Sequence, residues 1–294
     1  MFKKHHNAHL YVGSSQSGKE SLRIFPLGGI GNVTKNMYVY EYRYDGKLKD
    51  ILIVDCGIGF PEPEMYGVDL VIPDVRYLEN KKEMIRGLVF THGHDDHIGG
   101  IPYLYTKLRP LRMWGTKLTA AFANLKLKEA RASEKVTSVE FNQVLHMGPF
   151  TVSFVRVTHS VPDAANLIIE TPVGTIYHGS DFKFDFSPLD GKLSELEKIT
   201  AAGKKGILCL LTDSLGSERR GFTPSEQVIG ETLEKELSLS SGRVIFTTQS
   251  SNISRIQLAI EKALKYGRQI AFFGRSIDQN TEEAVKLGYM RFPR

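Results

Sequence analysis

The stretch RGLVFTHGHDDHIGGIPYLYTK, residues 86–107, constrains this chain more than any other. An apolar, strand-forming run ends in three histidines and two aspartates between His92 and His97, and a helix-forming run follows. In a loop leaving a strand, His92 and His94 stand two positions apart and face one side, while Asp96 and His97 come round from the next turn. Imidazole nitrogens and carboxylate oxygens suit a cation such as zinc and leave positions open for water. A polar loop whose histidines merely bond backbone would not explain why ionisable side chains gather where an apolar strand stops. One cluster seldom supplies every donor of a two-metal centre, so further donors are expected at later strand ends. His159 in VRVTHS and Asp181 in TIYHGSD are placed that way.

Around this feature the chain divides in two. From Ser21 to about Phe154 the candidate strands LRIFPL, NMYVYEYR, DILIVDCG and RGLVFTH follow one another, the middle two joined by the turn-forming YDGK. KLTAAFANLKLKEARASEK is strongly helix-favouring, and FTVSFVRVTHS and ANLIIETPVGTIYHGSD read as further strands. Strands that pair locally, with occasional helices, predict stacked sheets with helices outside. Near residue 205 the rhythm changes. GILCLLTD reads as a continuous apolar strand buried on both faces. TPSEQVIGETLEKEL reads as a helix capped by Thr223, with Pro224 at its first position and Glu226 completing a capping box. GRVIFTTQ, SNISRIQLAIEKALKYG, RQIAFFG and SIDQNTEEAVKLGY then alternate strand and helix. This alternation predicts an α/β unit with a parallel, doubly wound sheet over residues 206–294, distinct from residues 21–205. Residues 1–20 are polar, and a flexible tail is expected there rather than a metal site made by His5, His6 and His9.

Composition narrows the class of partner. With 294 residues the chain can bury a sizeable core. No window approaches the roughly 18–20 apolar residues of a membrane span, and the first twenty residues lack the apolar core of a secretory signal. The cytoplasm is therefore the expected address, with no membrane partner. Cys56 and Cys209 lie in apolar runs and read as small buried thiols of a reducing compartment. A net charge of +5 and a pI near 9.0 mildly favour a polyanion without defining one.

The order of Asp55 in ILIVDCG, then THGHDDH, then His159, then Asp181 resembles the metallo-β-lactamase fold, whose signature is His-x-His-x-Asp-His followed by a lone His and a lone Asp. Beyond that superfamily, LGGIGNVTKNMYVYEY, FPEPEMYGVDLVIPDVRYL, GPFTVSFVRVTHSVPDAANLIIETPVGTIYHGSDFKFD, GFTPSEQVIGETL and SSNISRIQ resemble the ribonuclease J family, from about Leu22 to Ser276. The resemblance implies an α/β chain: a metallo-β-lactamase αββα sandwich over residues 21–205, then a partial β-CASP domain over residues 206–294. It implies that His92, His94, His159 and Asp181 hold a first Zn2+, and that Asp96, His97 and a bridging Asp181 hold part of a second. Asp55 would orient ligand histidines, as such partners commonly do; Asp95 falls at the variable position and receives no role. Asp213 in LTDS matches the first acidic motif of the β-CASP domain, with a strand-end Asp capping a turn as its plain alternative.

The implied activity is hydrolysis of RNA phosphodiesters, exonucleolytic from the 5′ end, endonucleolytic or both, in RNA processing and decay. A metal-activated water would be the nucleophile. Homo-oligomers are expected of the full-length family. RNA contacts would fall to FTTQSSNISR, where a helix N-terminus exposes amides to phosphate. Ser251, Asn252 and Arg255 are candidates there, and Arg275 in FFGRS at the neighbouring strand end. Ser and Asn as simple helix caps are the alternative.

Three departures from the family pattern matter. GNVTKNM carries Asn32 where the family has an acid, and HGSD alters the turn between His178 and Asp181. No histidine follows His178, although the family uses later histidines to finish the second metal site and the β-CASP motifs. The chain is thus expected to be the N-terminal portion of a longer polypeptide, with the second site incomplete and activity by itself weak or absent. A thioesterase of the glyoxalase II type would share the first motif but not the alternating second region. A non-catalytic RNA-binding or assembly subunit would lose early ligands, which are intact here. A DNA-directed β-CASP nuclease shares all these features.

Overall fold

The structure, a computed structural model, describes residues 10–14, 18–109 and 111–292. Its elements in chain order are β1 (Leu10–Ser14), β2 (Glu20–Gly28), β3 (Met37–Tyr44), β4 (Lys47–Val54), α1 (Arg76–Glu79), β5 (Ile85–Phe90), α2 (Asp95–Ile98), α3 (Ile101–Leu108), β6 (Met113–Thr116), α4 (Lys117–Glu129), β7 (Val136–Val139), β8 (Val144–Met147), β9 (Phe150–Arg156), β10 (Ala165–Thr171), β11 (Gly174–His178), α5 (Leu196–Lys205), β12 (Cys209–Leu211), α6 (Glu226–Leu239), α7 (Ile253–Lys265) and α8 (Arg275–Lys286). A seven-stranded sheet runs β1 to β7 in order, and a five-stranded sheet runs β12-β11-β10-β9-β8. The first sheet is antiparallel up to β4 and parallel beyond it.

Alternation along each strand builds the layers. Leu52 and Val54 of β4 join Leu22, Tyr40, Phe150, Phe154 and Leu167 in the core between the two sheets. Ile51 and Ile53, on the opposite face, join Phe90, Leu104 and Phe122 in a second core under the helices. Each of these side chains is nearly inaccessible, worth roughly 1.5–3 kcal/mol apiece in apolar burial. The turn between β3 and β4 holds Asp45 and Gly46 at φ 47° and 70°, the left-handed pair that two-residue hairpins need. The outcome is the expected α/β class with stacked sheets and outer helices. No helix among the described residues is long and apolar enough to cross a membrane.

Several expectations are corrected. Part of the supposed tail is ordered: Leu10 pairs with Ile24 and Ser14 with Ser21, so β1 covers what would otherwise be an open edge of β2. Residues 1–9 and 15–17 lie outside the described residues. The strand in GILCLLTD does not open a separate sheet; β12 pairs in parallel with β11, as the edge of the five-stranded sheet. An edge position leaves Leu210 62% exposed, where burial on both faces was expected. The segments GRVIFTTQ and RQIAFFG form no ladder among the described residues, so the doubly wound sheet is not assembled over 206–294. The helices of that region do form, and Ile253, Ile256, Ile260 and Ala284 pack into the same core as α3 and α4. The cap of α6 is Ser225, not Thr223: its side chain accepts from Gln227 N and donates to Asp185 Oδ2, a partner the local sequence does not reveal.

Candidate metal centre

The predicted donors arrive from three strand ends. β5 delivers His92 two residues beyond its last member, and the single turn of α2 carries Asp96 and His97, with His94 as its N-cap. His159 follows β9 and Asp181 follows β11. One group comprises His92, His94, His159 and Asp181 and a second Asp96, His97 and Asp181, donor atoms within each lying inside 4.8 Å. His94 Nδ1 is 3.1 Å from both His92 Nε2 and His159 Nε2. Asp181 serves both groups: Oδ2 lies 3.9 Å from His92 Nε2 and 3.7 Å from His159 Nε2, while Oδ1 lies 3.5 Å from His97 Nε2. Asp95 instead pairs with Lys126 at 2.6 Å, in keeping with the absence of a role for it.

Hydrogen bonds behind the donors fix which nitrogen His92, His94 and His97 present. Asp55, held at a positive φ of 62°, accepts from Thr91 N and Thr91 Oγ1 at 2.8 Å each, and its Oδ2 lies 2.8 Å from His97 Nδ1. His97 Nδ1–H is thereby committed to Asp55, and Nε2 faces Asp96 and Asp181. Because Thr91 Oγ1 donates to Asp55, its oxygen is free to accept from His92 Nδ1, 3.1 Å away, leaving His92 Nε2 as a lone pair toward the centre. Ser160 Oγ, 3.0 Å from His94 Nε2, does the same for His94 Nδ1. Thr91 and Ser160 were not singled out in the sequence, although each adjoins a predicted ligand.

The one-turn helix α2 is itself clamped. Ile58 N donates to Asp95 O, Asn36 N to Asp96 O and Cys56 N to His97 O, so two other segments grip three successive carbonyls. Gly57 permits this approach: a Cβ there would lie 1.5 Å from Asp96 O.

Electrostatics match a cation site. Burial, reinforced by neighbouring imidazoles, lowers His92 well below its ordinary value and His94 to about 3. Burial likewise takes His159 to about 4, so these rings are neutral donors at neutral pH. Burial also acts against a charged His97, but the Asp55 and Asp181 carboxylates overcome it and hold His97 well above its usual range. Burial would raise Asp181; its hydrogen bond to His97 and that ring's charge bring it to about 2. Burial raises Asp96. Three neutral imidazoles, His92, His94 and His159, beside the Asp96 and Asp181 carboxylates have the donor chemistry a divalent cation requires, and a cation at the second group would take the place of the proton that holds His97 charged.

The remaining candidates lie around this centre. Asp213 lines the same cleft as Asp181 and His97, and its Oδ1 also accepts from Leu215 N at 2.8 Å, the turn cap foreseen as its alternative. Asn32 caps its own loop by accepting from Thr34 N. His178 lines the cleft as well but belongs to neither donor group, and its Nδ1 bonds Tyr40. Asn252 caps α7, its Oδ1 accepting from Arg255 N, while the Arg255 guanidinium pairs with Glu226 at 2.9 Å. Ser251 is half-buried, and exposed Arg275 lies 3.8 Å from Glu129. The first turn of α7 nevertheless approaches the centre, since Ser254, Lys183 and Glu226 share a pocket wall with His159.

Two facing sheets with helices outside, and a His/Asp cluster at the strand ends, are the layout of a known class: the chain belongs to the metallo-β-lactamase superfamily, which it matches over residues 30–247. Residues 241–294 match the family described as "Ribonuclease J, beta-CASP domain". The chain is 40% identical over 287 residues to Ribonuclease J of Thermus thermophilus, covering 95% of this chain and 49% of that protein. It is 41% identical over 273 residues to Ribonuclease J 1 of Streptococcus pyogenes, covering 92% and 48%. The ribonuclease J resemblance is thus borne out, and the chain spans about half the length of these curated relatives. A crystal structure of a protein of unknown function from Enterococcus faecalis is alike in fold, with TM-score 0.59 at 17% identity, covering 87% of this chain and 71% of that one.

Proposed function

We propose that this chain is the metal-binding portion of a ribonuclease J-type enzyme that hydrolyses RNA phosphodiester bonds in the cytoplasm. The observation that carries the reading is Asp181, whose two oxygens face two separate donor groups. His92 Nε2, His94 Nδ1, His159 Nε2 and Asp181 would hold one ion, and Asp96, His97 and Asp181 part of a second. Three imidazoles with one carboxylate favour zinc over magnesium or calcium, which take oxygen donors. Such ions, when bound, supply Lewis acidity that brings a water's pKa toward neutrality and offsets charge on phosphoryl oxygens. The chain's own residues do the rest: Asp55, Thr91 and Ser160 hold the ring tautomers, and Asp213 borders the cleft beside Asp181. Ser251, Asn252, Arg255 and Arg275 remain the proposed RNA-binding group, carried by α7 and the start of α8. The likeness to ribonuclease J supports RNA as substrate, and the net charge of +5 agrees with it.

The test is metal analysis of the purified chain together with cleavage of 5′-monophosphorylated RNA, for wild type and His94→Ala. Zinc bound by the wild type and lost in the variant, with cleavage falling in parallel, is the expected result. Absence of zinc and equal cleavage by both proteins would sink the reading. Zinc and RNA bound without cleavage would favour a non-catalytic RNA-binding subunit.

A further inference from the structure

Asn36 stands immediately before β3 and against the second donor group. Its backbone N–H donates to Asp96 O at 2.9 Å and its carbonyl accepts from Gly57 N at 2.8 Å, which fixes the residue independently of its side chain. The side-chain Nδ2 lies 3.1 Å from Val33 O, 3.3 Å from Asp96 O, 3.4 Å from Asp96 Oδ2 and 3.1 Å from His97 Nε2. Two of these four neighbours are backbone carbonyls, which only accept, so the amide nitrogen is the atom that faces Asp96 and His97. The amide oxygen faces Gly29 instead, where an added Cβ would lie 2.3 Å from it. Asn36 is therefore not oriented as a metal ligand. It is a buried donor whose two hydrogens have Val33 O and the backbone and carboxylate oxygens of Asp96, a predicted ligand, as acceptors, the Asp96 contacts being the longer ones.

We propose that Asn36 is the positioning residue of the second metal position: it donates to Asp96 and keeps the Asp96 carboxylate turned toward His97 and Asp181. In the first group Thr91 and Ser160 position two of the three imidazoles, whereas the second group has only Asp96 and His97 besides the shared carboxylate among the described residues, with Asp55 holding His97. An uncharged side chain suits the task, because a carboxylate at position 36 would repel Asp96 and a cation would compete with the metal. The inference rests on the metal-dependent reading above.

The 294-residue chain is stripped of metal and titrated with Zn2+ under chelator competition. The wild type should bind two ions with separable affinities. Asn36→Leu, close in volume but without N–H groups, should keep the first affinity and weaken the second about 10–100-fold, the usual effect of removing a ligand's partner. Asn36→Ala, which only deletes atoms, should do the same if Leu distorts the loop. In a double-mutant cycle, Asn36→Leu should add nothing to Asp96→Asn, a coupling that a merely structural role would not produce. The inference is overturned if both Asn36 variants bind two ions like the wild type, or if both ions weaken equally. A wild type that binds one ion, unaffected by Asp96→Asn, overturns it while leaving the metal-nuclease reading standing. A wild type that binds no zinc overturns both.

Discussion

Tyr40 and His178 join the two sheets through a buried hydrogen bond of 2.7 Å between the phenol hydroxyl and the imidazole Nδ1. Tyr40 is in the middle of β3, and His178 ends β11 three residues before Asp181. The bond therefore pins the strand end from which Asp181, the carboxylate shared by the two donor groups, departs. Tyr40→Phe keeps the ring and leaves a buried nitrogen unpaired, which costs about 1–3 kcal/mol. An unfolding free energy lowered by that amount, seen as a lower urea midpoint at unchanged m-value, is the expected result. An unchanged midpoint would show that the bond contributes nothing net.

The same imidazole predicts a pH dependence. Burial lowers His178 to about 4 from an ordinary value near 6.5, so the folded chain keeps it neutral. Between about pH 6.5 and pH 4 the unfolded chain takes up a proton that the folded chain refuses, and stability falls as pH falls through that window. Above pH 6.5 both states are neutral at this site and the dependence vanishes. Other buried histidines contribute to the total slope, so the test is a difference: His178→Asn should flatten stability against pH in this window by about 2–3 kcal/mol. Parallel curves for variant and wild type would refute the assignment.

Asp55 offers a separation of charge from shape. Its φ of 62° lies in the left-handed region, which Asn tolerates as well as Asp does. Asp55→Asn should fold with little backbone strain while removing the carboxylate that holds His97 Nδ1–H and Thr91. Zinc affinity measured by chelator competition should fall about 10–100-fold. Retention of full affinity would show that His97 orients itself without Asp55.

What the sequence makes legible follows from where chemistry sits on a strand. His92, His94, Asp96, His97, His159 and Asp181 all stand where apolar runs stop, and period-two alternation is enough to locate those ends; the structure brings all six together. Asn36 has no such signal, because it reaches Asp96 from 60 positions away through a loop whose path depends on Gly57 and the clamp on α2. Tyr40 reads as one more aromatic of a buried strand, and only the stacking of the two sheets gives its hydroxyl a partner. Strand propensity in GRVIFTTQ and RQIAFFG is equally plain, yet propensity alone makes no ladder without neighbouring strands. The cap of α6 moved to Ser225 for a similar reason: Asp185, forty residues earlier, holds its hydroxyl.

Glu226 ties the start of α6 to the metal-centre loop. Its carboxylate accepts from Lys183, two residues beyond Asp181, at 3.0 Å and from Arg255 of α7 at 2.9 Å. Burial would raise this carboxyl, but the two cations hold it below the usual range. Its stabilisation is therefore complete above the ordinary glutamate value near 4.3 and lost as pH falls through the lower folded value. Glu226→Gln removes the charge from a largely buried pair and should cost about 1–3 kcal/mol, between exposed and fully buried cases. The loss should appear in urea unfolding at neutral pH, and hydrogen exchange should quicken in α7 before the sheets. Uniform exchange in the variant and wild type would place the interaction outside the docking of α7.

Gly57 and Gly46 together test whether the clamp on α2 depends on close approach. At Gly57 an added Cβ would meet Asp96 O at 1.5 Å, a collision with backbone that only displacement of α2 can relieve. At Gly46 the Cβ would meet nothing within 4 Å, but φ is 70°, so Ala there carries conformational strain alone. Gly46→Ala should destabilise by about 1 kcal/mol and leave zinc binding unchanged. Gly57→Ala should cost more, about 1–3 kcal/mol or above as overpacking does. It should also weaken zinc at the position served by Asp96 and His97, because the carbonyl it displaces belongs to Asp96. Measuring both variants by urea unfolding and zinc titration keeps loss of stability apart from loss of a ligand's position. Equal zinc affinities in Gly57→Ala and Gly46→Ala would mean that the clamp on α2 does not set the second position.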